Sequence, residues 1–363
     1  MKESFDYNIH KIIKFRIVRE KKKDFLRDLN LPFSYFETEH VEKPDIILNI
    51  GDFKPDNENC YRLDHNNFVK ENYFYCKDSG GTASWEVEIQ GFEEGVTIIN
   101  YNGKISGPES LFYPELLPQD IFLRSMIEYK LYKKGFYLLH GAGVSKNNKG
   151  YIISGRGSSF KTSISMDLVR KSKFDFMADD KIILSNDRKL YSFPVHFKSF
   201  EFKLRNIQEE NFRNASGGIG FNSLINFFKF IRYLRNNDFD NKKIDLPIVD
   251  NSDLNELLFV SRTNCNNCRI GLIDQDTAAN RLYYNNVSDI VKGHTFMLLD
   301  YGQYFYKYIL LYSFIYPENS LINYWLSFTH NIKNIIQDIP LYEVKIGKNY
   351  GKSTFEEISK IIN

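Results

Sequence analysis

Tyr151-Ile-Ile-Ser-Gly155-Arg-Gly157-Ser-Ser-Phe160-Lys161-Thr162-Ser163 is the stretch that decides the reading of the chain. Residues 151–154 form a short apolar strand, a Gly-rich turn follows, and a helix continues through residues 163–170. Strand, turn and helix in that order can cradle a phosphate. N–H groups of the turn point inward around an anion, and the helix start adds unpaired donors and a partial positive charge. Lys161 offers a mobile cation for β- and γ-phosphates, and the Thr162 hydroxyl is suited to Mg2+. The expected nucleotide-binding residues are therefore Gly155, Arg156, Gly157, Ser158, Ser159, Phe160, Lys161, Thr162 and Ser163, with ATP as donor nucleotide.

The usual spacing is G-x-x-x-x-G-K-[ST], and here Phe160 stands in the place of the second glycine. A Cβ at that position can force a φ the residue dislikes or crowd the phosphates. Two outcomes are open. Either the backbone is helical enough to carry Phe160 with its ring turned outward against the nucleoside, or nucleotide binding is degraded.

The flanks add to the pattern. His140-Gly141-Ala142-Gly143-Val144 closes a strand just before the strand of the turn, and Asp179-Asp180 ends the apolar run 174–178 after the helix. The order strand, His-Gly, strand, phosphate turn, helix, Ala-Asp-Asp resembles the C-terminal catalytic domain of the HPr kinase/phosphorylase family. That domain is itself similar in fold to phosphoenolpyruvate carboxykinase. Lys181-Ile-Ile-Leu and Ser192-Phe193-Pro194 fit the same family, and the resemblance spans residues 135–195. It implies an α/β fold, a phosphoenolpyruvate carboxykinase-like P-loop domain with a mixed sheet. The long signature segment that follows the acidic pair in true HPr kinase/phosphorylases is not seen, so HPr itself is not the expected acceptor. Looser relatives phosphorylate free serine or the serine of a peptide precursor.

Phosphoryl transfer needs neutralised phosphate charge, a metal and an acceptor for the hydroxyl proton. Lys161 and the turn amides meet the first need. Thr162 and Asp180 are the expected Mg2+ ligands, since Mg2+ takes few protein oxygens. Asp179 is the expected general base, by its place in the family motif and because a carboxylate can accept a proton. His140 either stabilises transferred phosphate or orients Asp179. The expected catalytic set is thus Asp179, His140 and Lys161, and Glu201, Arg205, Arg213 and Arg262 are further charges that the sequence alone does not place.

The leading expectation is an ATP-dependent kinase for a hydroxyl on a peptide, protein or small molecule. A non-catalytic nucleotide-binding protein with a degenerate turn is the alternative, and a carboxykinase-like enzyme ranks last. A homo-oligomer is implied only by analogy with the family.

Composition narrows the partners. At 363 residues with a formal net charge of +2, no overall field draws nucleic acid or a membrane, and the basic residues do not cluster with aromatics on a recognisable module. The longest apolar run, 308–316, is too short to span a bilayer. No basic start followed by an apolar core is found at the N-terminus, and a cytoplasmic protein is the default expectation. Cys265 and Cys268 form a C-x-x-C that reads as half a metal or redox site, or as a turn with two thiols.

Residues 1–115 are expected to form a β-rich scaffold or recognition domain, with strands at 12–18, 46–50, 85–89 and 96–101. Prolines and a change of period place a boundary within 107–118, and residues 116–363 form the nucleotide-binding domain. Its further elements are a helix from 119 to 134, strands at 136–140 and 181–184, a basic-edged helix at 221–236 and a loop over 236–252. Strand-like 257–260 and 270–273, a helix at 323–335, a strand at 341–346 and a final helix at 353–362 complete the expectation.

Overall fold

The computed structural model describes residues 2–20, 32–80, 83–106, 118–195, 246–265, 267–292 and 302–362. These residues form a mixed α/β structure with two mixed sheets and six α-helices.

Alternation builds the first sheet. Along Ile13–Glu20, Ile13, Phe15 and Ile17 are buried while the residues between them face outward or lie half-buried, the period of a strand with one covered face. The strands are β1 (Lys2–Ile9), β2 (Ile13–Glu20), β3 (Glu37–Thr38), β4 (Ile46–Ile50), β5 (Tyr61–Arg62), β6 (Asn67–Lys70), β7 (Tyr73–Gly80), β8 (Ala83–Gln90) and β9 (Thr97–Ile105). Their order is β3-β1-β2-β4-β9-β8-β7-β6-β5, with β4 parallel to both β2 and β9 and the other pairs antiparallel.

A wide π-type turn over Gln119–Leu123 leads into α1 (Arg124–Lys133). Gly135, at φ +81°, ends that helical run in the left-handed conformation that glycine adopts without penalty. The second sheet contains β10 (Phe136–His140), β11 (Ala142–Lys146), β12 (Lys149–Ser154), β13 (Asp175–Ala178), β14 (Lys181–Ser185), β15 (Lys189–Tyr191), β16 (Asn251–Arg262), β17 (Arg269–Leu272) and β18 (Leu341–Ile346). Its order is β10-β14-β15-β16-β12-β11-β13. At its far end β16 also pairs with β18, which pairs with β17. The parallel core is β12 beside β16 beside β18.

Helices cover both faces of this core. The helices after α1 are α2 (Lys161–Ser172), α3 (Gln275–Lys292), α4 (Gly302–Ile315), α5 (Ser320–Ile335) and α6 (Lys352–Ser359), and all but α4 cover this core. Ile153, Leu258 and Val260 share a cluster with Ile164 and Leu168 of α2 and Phe355 and Ile358 of α6. Their strand neighbours Ile152, Leu257 and Phe259 share one with Leu282 of α3 and Phe328 and Ile332 of α5. Burial on both faces is why these strands read as continuous apolar runs. The remaining helix, α4, packs elsewhere: Phe305, Tyr308, Ile309 and Tyr312 join the core of the first sheet.

Two expectations are corrected here. His140-Gly141-Ala142-Gly143-Val144 does not close one strand: β10 ends at His140 and Ala142 opens β11, which pairs with β12 and β13. The loop expected over 236–252 ends earlier, because Asn251 and Ser252 pair with β15 as the start of the twelve-residue β16. The helix expected at 221–236, Glu201, Arg205, Arg213 and residues 107–117 of the expected boundary lie outside the described residues. Among the described residues, no helix is long and apolar enough to cross a membrane.

Candidate functional site

The Gly-rich turn 155–160 leaves β12 at the carboxyl end of the parallel strands, where open α/β sheets bind ligands. Gly155 is required by close approach. A Cβ there would collide with the carbonyl oxygen of Val260 on the neighbouring strand. After Ser158, at φ +65°, and Phe160, at φ +71° and ψ +15°, the chain enters α2 at Lys161. The Phe160 carbonyl accepts the first helical bond from Ile164 N at 3.0 Å. The N-cap residue Phe160 makes no side-chain hydrogen bond to the start of α2. Lys161 Nζ folds back to donate to the carbonyls of Gly155 and Arg156, so its ammonium lies over the turn.

The acidic pair meets this turn from the end of β13. Thr162 Oγ1 donates to Asp179 Oδ1 at 2.7 Å. Two hard oxygen groups lie together, both partly open to solvent, and they suit a small hard cation shared with phosphate oxygens. Asp180 points elsewhere. Its Oδ2 is 3.5 Å from Arg124 Nη2, and its Oδ1 is 3.6 Å from His140 Nδ1. Arg124 and His140 are buried, whereas half of the Asp180 side chain is exposed. The structure therefore brings Lys161, Thr162 and Asp179 together, and sets Asp180 beside His140 and Arg124. Thr162, expected with Asp180 as a metal pair, makes its hydrogen bond to Asp179, and His140 Nδ1 lies beside Asp180. Among the described residues, no group of three His, Cys, Asp or Glu side chains could hold a metal unaided.

Two asparagines on α3 hold the back of the site. Asn285 Nδ2 donates to the His140 carbonyl at 3.2 Å and to Ser154 Oγ at 3.1 Å. Asn286 accepts from His140 N at 2.8 Å and donates to Leu138 O at 2.7 Å. Arg156 leaves the turn toward the same helix and donates to the Asn285 side chain and carbonyl and to Ser288 Oγ. Sequence reading missed α3, Asn285, Asn286 and Arg124. The cap was the available signal for α3: Asp274 Oδ1 accepts from Thr277 N at 2.8 Å, an acidic N-cap of the ordinary kind.

Phe160 does not have the helical backbone that one of the two expected outcomes required, though its ring does turn outward. Its backbone takes the left-handed conformation that a glycine would, and its ring turns onto protein rather than into the turn. The ring stacks on Tyr350 at 5.8 Å between centroids and 26° between planes, and the Arg262 guanidinium lies 5.3 Å from its centroid. Tyr350 OH donates to Asp167 Oδ2 on α2 at 3.0 Å. Burial, followed by the nearby Asp167 charge, raises the Tyr350 phenol far above its ordinary range.

Other features stand apart. Cys265 is exposed and Cys268 half-buried in the connection between β16 and β17, and burial raises the Cys268 thiol. One concavity is lined by Glu128, Tyr324 and Trp325 and another by Tyr132, Tyr137 and Asn331, and neither includes a residue of the turn. Comparison of the chain with protein-family models and with curated proteins finds no match.

Proposed function

We propose that this chain is an ATP-dependent kinase that phosphorylates a hydroxyl group on a peptide, protein or small molecule, through a phosphoenolpyruvate carboxykinase-like P-loop domain of the HPr-kinase-like kind. The observation that carries the reading is the contact of Asp179, at the end of β13, with Thr162, beside the turn over which Lys161 Nζ folds: two separate parts of the motif meet at one end of β12.

ATP is the donor substrate, and Mg2+ supplies charge neutralisation on its phosphates when bound. The turn 155–160 and the start of α2 receive the phosphates, and Lys161 exchanges its carbonyl partners for phosphate oxygens. The Thr162–Asp179 contact supports giving those two residues to the cation. Asp180 then becomes the proton acceptor, the reverse of the roles expected from the family motif. His140 and Arg124, both beside Asp180, hold that carboxylate in place. As the acceptor oxygen bonds to the γ-phosphorus, its proton passes to Asp180, the bond from that phosphorus to the β-phosphate oxygen breaks, and ADP leaves.

A non-catalytic nucleotide-binding protein is the second reading. The guanidinium beside Asp180 favours it, because a carboxylate oxygen facing Arg124 is occupied by a partner other than an acceptor hydroxyl. Transfer of labelled γ-phosphate to serine, peptides and hydroxylated metabolites separates the two. Asp180→Asn is expected to keep nucleotide affinity and lose transfer by about two to four orders of magnitude, whereas Asp179→Asn weakens Mg2+-dependent binding itself. Nucleotide binding by the parent with neither transfer nor hydrolysis on any acceptor supports the second reading and removes the first.

A further inference from the structure

We propose that Tyr350 and Arg262 are positioning residues for the phosphate turn: they clamp the Phe160 ring and so hold its backbone in the left-handed conformation that a glycine would adopt unaided. The role of the turn rests on the nucleotide-binding reading above. The clamp rests on geometry that is independent of any ligand.

Phe160 lies immediately before Lys161, so its φ and ψ set the direction in which α2 presents its first N–H groups and the Lys161 side chain. At φ +71° and ψ +15° a residue with a Cβ is disfavoured by about tenfold or more in population. Left alone, the turn would relax toward right-handed or extended backbone and re-aim both groups. Contacts made by the ring oppose that relaxation. On the ring lie Tyr350 in a stacked arrangement and the Arg262 guanidinium.

Both partners are themselves tied down. Tyr350 OH donates to Asp167 on α2, the helix that Phe160 opens, so the clamp closes back on that helix seven residues beyond the turn. Arg262, the last residue of β16, donates through Nη2 to Lys348 O at 2.8 Å, and Thr263 N donates to Ile346 O at 2.7 Å. The carboxyl end of β16 and the segment after β18 are thereby fixed to each other, with the Phe160 ring against both. A bulky residue in a glycine conformation needs compensation of this kind. Affinity at the turn then depends on residues 347–351, a segment remote in sequence.

The test compares Phe160→Gly, Phe160→Ala, Tyr350→Ala and the double variant Phe160→Gly/Tyr350→Ala with the parent. The first readout is amide hydrogen exchange across residues 155–161 without nucleotide, and the second is Mg2+–ATP affinity by calorimetry. Phe160→Ala keeps the Cβ and loses the clamp, so it is expected to speed exchange and weaken binding about tenfold. Tyr350→Ala does the same. Phe160→Gly and the double variant need no clamp, so removing Tyr350 in the Phe160→Gly background changes either readout by less than about threefold. The proposal is overturned if Phe160→Gly and Phe160→Ala behave alike, or if Tyr350→Ala has the same effect in the Phe160→Gly background as in the parent. Should Tyr350→Ala not fold, the two single substitutions of Phe160 decide alone. If the parent binds no nucleotide, the functional reading fails while the exchange pattern still decides the clamp.

Discussion

At the scale of single residues, the turn separates glycines that are needed from one that is not. Gly155 packs its bare Cα against Val260, and an added Cβ would also meet Ser159 Oγ at 2.8 Å. Gly155→Ala must push the end of β12 away from β16, and should cost about 2 kcal/mol of stability, the ordinary scale for overpacking. At Gly157 the same addition meets no atom within 4 Å, so Gly157→Ala should unfold at the parent's urea midpoint. Equal midpoints for the two variants would contradict the close approach assigned to Gly155. Lys161, Thr162 and the acidic pair could be singled out in the sequence because the strand–turn–helix pattern and the residues at its ends are local. The conformation of Phe160 could not, because what offsets its Cβ penalty comes from Arg262 and Tyr350, about 100 and 190 positions away in the sequence.

At the scale of elements, local pattern located α1, α2, α5 and α6 and many of the strands, but not β1, β7 or α3. The strands expected at 46–50, 136–140 and 341–346 match β4, β10 and β18, because apolar runs bounded by turn residues leave little choice. Helix α3 escaped notice. Its sequence is rich in Asn and Tyr, and its buried positions include Asn285 and Asn286, so no apolar stripe announces it. The same asparagines explain what the helix does. Strand β10 ends the ladder order of the second sheet, and an edge strand must satisfy its outward backbone groups. Leu138 O and His140 N lie on one side of β10, two residues apart, and the Asn286 amide answers both in the manner of a neighbouring strand. Asn286→Ala leaves a buried donor and a buried acceptor unmet and should lower unfolding free energy by about 3 kcal/mol. Asn286→Asp keeps the acceptor and should recover part of that loss. Urea melts of the three proteins check the order, and an Asn286→Ala variant as stable as the parent would show that water already serves this edge.

At the scale of the whole molecule, sequence order and packing diverge. A division near residue 115 separates the strands of the two sheets, but the core of the first sheet draws on α1, α4 and Phe193. Trp85 Nε1 donates to Tyr308 OH at 3.1 Å, Tyr308 OH to Asp78 Oδ2 at 3.1 Å, and Lys307 pairs with the same carboxylate at 2.9 Å. Partners more than two hundred residues apart cannot be read from local pattern, which is why the apolar run at 308–316 gave no hint of where α4 docks. The candidate site lies in the second sheet, at the carboxyl end of β12. The claim on which the account depends is that this end binds a nucleotide through Lys161. Its most direct measurement is calorimetric titration of Mg2+–ATP into the parent and into Lys161→Ala, with apo melting recorded for both. The account predicts saturable binding by the parent. It predicts affinity at least about tenfold weaker in Lys161→Ala, since a charge-assisted contact to phosphate is lost, and apo stabilities within about 1 kcal/mol of each other. No binding by the parent, or equal affinity in the two proteins, would contradict it.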